Sequence, residues 1–398
     1  ALVGRVEALA EQLPQTDQDA FFELVAYPVR AAAAMNETYL AAARSKRHAA
    51  QDRVSADAHA DRAEAARERI AELTRRYNEG IQDGKWAGMM SDSPRDLPVF
   101  VGPTTGSVEG RDGPALGVAI EGRAEAVAPG EAPPPTLPTI RAAADCTRFL
   151  DVFARGDEPV EWTAETEADW IELDEGSGTV AEDRRLSVGV DWEAFPGGRS
   201  TERLTVTGAG ERRVVRVRAD AREAAGDVVA VDGTAAVEAE AYSRRTSGER
   251  ARWAVSDVPG RISGTTMALE PLVFEAQSTE AAPTLEFDVD LPAGSVDVVV
   301  YCLPAQALNE DRDLRYAVTL GGEQEVVSID PAGDEHDPEW QGNVLRGAAV
   351  GTSTHEVEDG AATLTLAGLD PGLVVDRIVV TSDGDSETYL GPRATHVE

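Results

Sequence analysis

The spacing of apolar residues changes character once along this chain, from a helical period to a strand period. From Thr16 to Gln51 the run is dense in alanine, and Phe21, Leu24, Val25, Met35, Tyr39 and Leu40 recur at three- and four-residue intervals. Asp17 or Thr16 can cap its start, and Pro28, which lacks an N–H, is expected to kink it after the first turns. A second helix is expected over about 55–78, with Ala63, Ala66, Ile70, Leu73 and Tyr77 on one stripe and charged residues opposite. Gly80 and Gly84 then stop it. Together they make a helical hairpin whose apolar stripe needs further partners, as at the end of a helical bundle.

After Ser91 the texture is different. Pro94, Pro98 and Pro103 mark an extended connection, and a proline-rich stretch over 129–138 follows a short strand at 116–120. From Thr147 to Ala221 apolar residues alternate with polar ones, as in Leu186, Val188 and Val190, then Leu204 and Val206, then Val215 and Val217. Turn signals separate these runs, and about seven strands at that spacing read as an immunoglobulin-like β-sandwich. The alternation resumes over 236–241, 284–291, 295–302, 316–320, 362–367 and 377–381, which reads as a second sandwich of jelly-roll type. The expected fold is therefore multidomain, α followed by all-β: a helical-bundle segment over 1–95, a sandwich with an extended linker over 96–225, and a C-terminal jelly roll over 226–398. A (β/α)₈ barrel needs ~250 residues of alternating strand and helix. No such alternation occurs here.

Composition narrows the function further. The 37 basic residues face 72 acidic ones, a formal charge of −35. A surface that negative repels phosphate backbones and anionic headgroups, so neither nucleic acid nor membrane is an expected partner. No apolar run approaches the ~20 residues of a membrane span. Cys146 and Cys302 are too few and too far apart to make a disulfide framework or a metal-ligand set. The chain opens on Ala1-Leu2-Val3 with neither an initiator Met nor a leader, and is read as the downstream piece of something longer.

No nucleophile elbow, phosphate loop, dinucleotide fingerprint or zinc spacing is present, and no catalytic residue, metal or cofactor is expected. His48 and His59, eleven apart, would stand ~16 Å apart on one continuous helix, too far to share a metal. The acidic loops at 334–337 and 383–385 offer oxygen ligands to calcium, but 72 acids make such clusters common. More unusual is Gly84-Lys85-Trp86-Ala87-Gly88-Met89-Met90. Lys85, Trp86, Met89 and Met90 at a helix end can line a ligand pocket, or plug the gap between the bundle and the next domain.

At these residues the chain resembles the C-terminal portion of glycoside hydrolase family 115, the xylan α-1,2-glucuronidases. The segment Asp19 to Ala33, with its Tyr27-Pro28 step, is similar to the family's helical domain. So are Asn78-Glu79-Gly80, then Gly84-Lys85-Trp86 and Met89-Met90. Val237 to Tyr242, Trp253, Pro259 to Arg261, Gly264, Tyr301, Pro304, Leu314 to Val318, Trp340, Asp370 to Gly372 and Tyr389 to Pro392 are similar to its terminal module. The middle sandwich, with Trp162 and Asp169-Trp170-Ile171, also resembles bacterial immunoglobulin-like carbohydrate-associated domains. After the methionine pair the family continues with aspartate, glutamine and histidine, whereas this chain has Ser91-Asp92-Ser93-Pro94.

The resemblance implies a C-terminal accessory region of an enzyme that removes glucuronic or 4-O-methylglucuronic acid from glucuronoxylan or a related plant polysaccharide. Its catalytic barrel would lie upstream in the same polypeptide, and secretion or a periplasmic location is favoured. Barrel support, a homodimer contact and polysaccharide binding are the implied roles. Sugar-binding sandwiches stack aromatic rings on pyranose faces and fix acid groups with arginine. Trp253, Trp340, Tyr242 and Tyr389, with Arg261 and Arg315, are the candidates. The alternative for the two tryptophans is burial in the core. Two other readings stay open: a free-standing carbohydrate-binding or adhesive β-module protein, and an independent hydrolase.

Overall fold

A computed structural model describes residues 2–91, 101–144, 147–258, 260, 262–305, 307, 314–329, 337–358, 360–382, 384 and 390–397. Helices come first and strands follow, and the strands lie in sandwich domains. No (β/α)₈ barrel occurs among the described residues. The chain divides into two compact units: Ala1–Leu137, Arg148–Gly189 and Glu202–Val217 form the first, and Pro138–Thr147, Val190–Thr201 and Arg218–Glu398 the second.

In the first unit, α1 (Leu2–Ala10) and the short α2 (Gln18–Phe21) lead into α3 (Tyr27–Ala50), which turns back as α4 (Ser55–Arg75). The expected kink at Pro28 takes another form. Pro28 sits in the first turn of α3, where its missing N–H costs nothing, and the chain widens just before it into a π-turn at Phe22–Ala26. There the Tyr27 N–H reaches back five residues to the Phe22 carbonyl. A second π-turn, Arg76–Gly80, ends α4. Val6, Phe22, Ala26, Tyr27, Leu73, Tyr77 and Ile81 form the core of this end of the hairpin. Further along, small residues let the two long helices approach closely at Ala41, Ala42 and Ala63.

The other end of the hairpin docks on the sandwich of the same unit. One sheet orders its strands Leu116–Ile120, Arg148–Ala154, Asp183–Val190 and Ile171–Leu173; the facing sheet contains Glu211–Asp220, Arg199–Gly208, Val160–Thr166 and Ser177–Val180. Of these strands, residues 190, 199–201 and 218–220 belong to the second unit. Along Val160–Thr166, Val160, Trp162 and Ala164 point inward while Glu161, Thr163 and Glu165 point out. Arg53, at the hairpin tip, is 3% exposed; it donates to Asp183 at 2.8 Å and Asp151 at 3.2 Å, and lies over the Phe153 ring.

The second unit packs two antiparallel sheets face to face. One runs Thr284–Leu291, Gly360–Gly368, Arg315–Leu320, Glu323–Ser328; the other runs Arg252–Ser256, Thr266–Glu270, Val374–Thr381, Gly294–Cys302, Ala349–Val357. Phe287, Tyr316, Trp253, Val298 and Leu366 meet in the core between them. A helix that the strand pattern does not announce, α5 (Pro338–Arg346), precedes the last long hairpin. Asp337 caps it by accepting from the Glu339 and Trp340 N–H groups, and Gly347, at φ 68°, ends it.

Candidate functional site

The π-turns build the most unusual polar site of the hairpin. A π-turn holds one residue more than an α-turn and turns its side chains out of the helical series. Glu23 lies in the first and Tyr77 and Asn78 in the second. The Glu23 carboxylate accepts from the Trp86 indole N–H at 3.1 Å, and the Tyr77 hydroxyl lies 3.5 Å from its other oxygen. Burial and the adjacent Glu23 charge both raise the Tyr77 pKa, so this phenol stays protonated and serves as a donor. Asn78 clamps the loop end: its amide donates to the Met90 carbonyl at 2.9 Å and accepts from the Met90 N–H at 3.0 Å.

The four residues of the glycine-lysine-tryptophan and methionine motif separate into two groups here. Trp86 and Met90 pack against the Val6–Tyr27–Tyr77 cluster, while Met89 is 58% exposed. Lys85 holds its ammonium 4.6 Å from the centre of the Trp86 ring, a cation–π contact. Glu23 was not among the sequence candidates. Its signal was a single acid inside the apolar run Phe21-Phe22-Glu23-Leu24-Val25-Ala26.

In the terminal domain the structure corrects one candidate outright. Trp253 is 0% exposed, and its indole N–H donates to the Pro283 carbonyl at 3.0 Å. A ring enclosed on both faces cannot stack on a sugar, so the core alternative holds for this residue. Tyr242 packs half-buried against the same core, with the Arg245 guanidinium 5.4 Å from its ring centre. Arg315 is spoken for: its Nε and Nη2, with its backbone N–H, donate to Asp370, whose side chain is 2% exposed. That leaves less of its charge for a ligand. Trp340 stands half-buried in the first turn of α5, on an element separate from Tyr242. Arg261 and Tyr389 lie outside the described residues, as do Asp334, Glu335, His336, Asp383 and Asp385 of the two acidic loops.

The two histidines also differ from expectation. Because the helix breaks at the hairpin tip, His48 and His59 stand on antiparallel helices, with ring centroids 4.6 Å apart and edge to face. Among the described residues, no group of three or more His, Cys, Asp or Glu is placed to hold a metal.

The second unit is thus a two-sheet sandwich with an inserted helix. Residues 229–394, nearly all of that sandwich, match the family model of the glycosyl hydrolase family 115 C-terminal domain. Among solved structures, a family GH115 4-O-methyl-α-glucuronidase with specificity for decorated arabinogalactans is similar at 21% identity and a TM-score of 0.45, over 96% of this chain and 32% of that one. This chain therefore spans about a third of that enzyme's length. The C-terminal CBM6 of LamC, a marine laminarinase from Zobellia galactanivorans, is similar at 16% identity and a TM-score of 0.24, covering 37% of this chain and 99% of the module. A family 35 carbohydrate binding module from Clostridium thermocellum gives 17% and 0.26, covering 37% and 98%. No curated protein sequence matches.

Proposed function

We propose that this chain is the non-catalytic C-terminal region of an α-glucuronidase, and that it binds the glucuronate-bearing plant polysaccharide on which the enzyme works. The observation that carries this reading is the family 115 C-terminal domain over 229–394. Glycosidic hydrolysis needs two carboxyl groups at a fixed separation on a rigid scaffold, and a catalytic barrel in the same polypeptide would supply them. The hairpin has surface to spare for such a neighbour or for a second copy of the chain: Leu24, Met35, Tyr39 and Leu40 are 43–73% exposed. Among the described residues of the terminal domain, Trp340, half-buried in the first turn of α5, is the ring assigned to the sugar contact in this reading.

The test is electrophoresis of the full chain in gels with and without glucuronoxylan, beside an assay for glucuronate release. The chain is expected to be retarded only by glucuronoxylan and to release nothing. Trp340→Ala should weaken retardation without a large fall in melting temperature. Release of 4-O-methylglucuronate above a mock purification, or equal migration in both gels, overturns the reading.

A further inference from the structure

A concave site in the second unit is lined by none of Trp253, Trp340 and Tyr242. Its wall begins at the two-residue turn Asp232-Gly233, where φ is 50° and 83° and the flanking Val231 and Thr234 exchange both backbone hydrogen bonds. The turn projects the Asp232 carboxylate, which accepts from the Thr139 N–H at 2.7 Å and its hydroxyl at 2.6 Å. On the floor, the Asp220 side chain is 4% exposed and accepts from Arg199 Nε at 2.9 Å and Arg222 Nη2 at 3.0 Å. Burial alone would raise the Asp220 pKa; the hydrogen bonds from Arg222 and Arg199 outweigh it and hold the carboxyl at about 2. Arg141, 6% exposed, donates to Asp290 and the Ala230 carbonyl beside it. The enclosed space is about 540 Å³, within the ~300–1,000 Å³ of ligand clefts.

These fixed pairs leave two guanidinium forks open. Arg199 is anchored through Nε alone, so among the described residues neither of its terminal nitrogens meets a protein acceptor. Arg218 makes only a long ion pair with Asp232, at 3.6 Å, beyond hydrogen-bond range, so no hydrogen bond to a described residue holds its fork. Four arginines line the space against four carboxylates, so the cleft is locally neutral in a chain of formal charge −35. Acids elsewhere act weakly across a Debye length of ~8 Å at physiological salt, so the groups within reach decide what binds. A planar fork matches a carboxylate bidentately, and the Ser200 and Thr201 hydroxyls beside it can pair with sugar hydroxyls.

We propose that this cleft binds a carboxylate-bearing sugar through Arg199 and Arg218. The sugar half of the proposal rests on the carbohydrate-binding reading above; the carboxylate half rests on the two open forks. The test is calorimetric titration of the full chain with methyl glucuronoside, methyl glucoside and inorganic phosphate. Binding of the glucuronoside alone is expected. Arg199→Gln and Arg218→Gln should each weaken it about tenfold or more, with the melting temperature unchanged for Arg218→Gln, whose side chain makes no hydrogen bond to a described residue. Equal binding of glucoside or of phosphate overturns the proposal. So does absence of glucuronoside binding while glucuronoxylan still retards the chain, which leaves carbohydrate binding standing elsewhere. Loss of that retardation too overturns both readings together.

Discussion

At Trp253 the indole ring fills the space beneath Gly368, where an added Cβ would come within 2.9 Å of the ring and 2.7 Å of Leu269. The ring is structural, so Trp253→Ala should lower stability by about 3–5 kcal/mol, the usual cost of deleting a large buried aromatic. Chemical denaturation measures it, and a change below about 1 kcal/mol would count against the ring's part in holding the core together. In residue type and immediate charge this tryptophan and Trp340 look alike. Both stand among charged neighbours, and what distinguishes them is the element beneath. Trp253 sits on a strand whose inward register is set by pairing with Thr266–Glu270, whereas Trp340 rides a helix. That helix went unread, although its signals are local: Asp337-Pro338 is a cap followed by a first-turn proline, and Gly347 is a stop. The open forks of Arg199 and Arg218 carry no such signal, because thirty-five arginines look alike until a cleft selects two.

The hairpin and the strand alternation were readable because each is a local period, repeated often enough to outweigh individual exceptions. What fixes the hairpin tip was not readable, since Arg53 finds its acids 98 and 130 residues away. Breaking a buried pair from one side strands the partners, so Arg53→Ala should cost about 3–5 kcal/mol. The same junction is expected to respond to acid. Burial lowers the His48 pKa to about 4, only partly opposed by Asp183, while Arg53, His59 and Asp151 also act on it; burial and the Arg44 and Arg62 charges lower His59 as well. Unfolded histidine titrates near ~6.5. The unfolded chain therefore takes up protons first, and stability present above pH ~6.5 is lost as pH falls toward about 4. Hydrogen exchange of residues 47–60 between pH 7 and pH 4.5 should show faster opening at the lower pH. In His48→Gln that dependence should weaken, and an unchanged profile would remove His48 from the cause.

Charge is the property that belongs to the molecule as a whole. With 72 acids against 37 bases, the folded chain repels itself at low ionic strength. Raising NaCl from 0.01 to 0.2 M shortens the Debye length from ~30 to under ~8 Å, and the melting temperature should rise with it. A fall would mean that ion pairs such as Arg53 with Asp183 outweigh the general repulsion. The two π-turns bear on the whole hairpin in a different way. Each acts as a one-residue insertion, and a residue in an α-helix advances the azimuth by ~100°. Reverting the first turn to α-helix by deleting one residue would leave α3 and α4 intact, yet rotate everything upstream by about that angle. Glu23 would then point away from Trp86, and Val6 away from the core it closes. The extra residue thus works as a phase setting: it fixes the angle at which the leading helix leaves the hairpin, and hence the direction in which any preceding part of the polypeptide must depart.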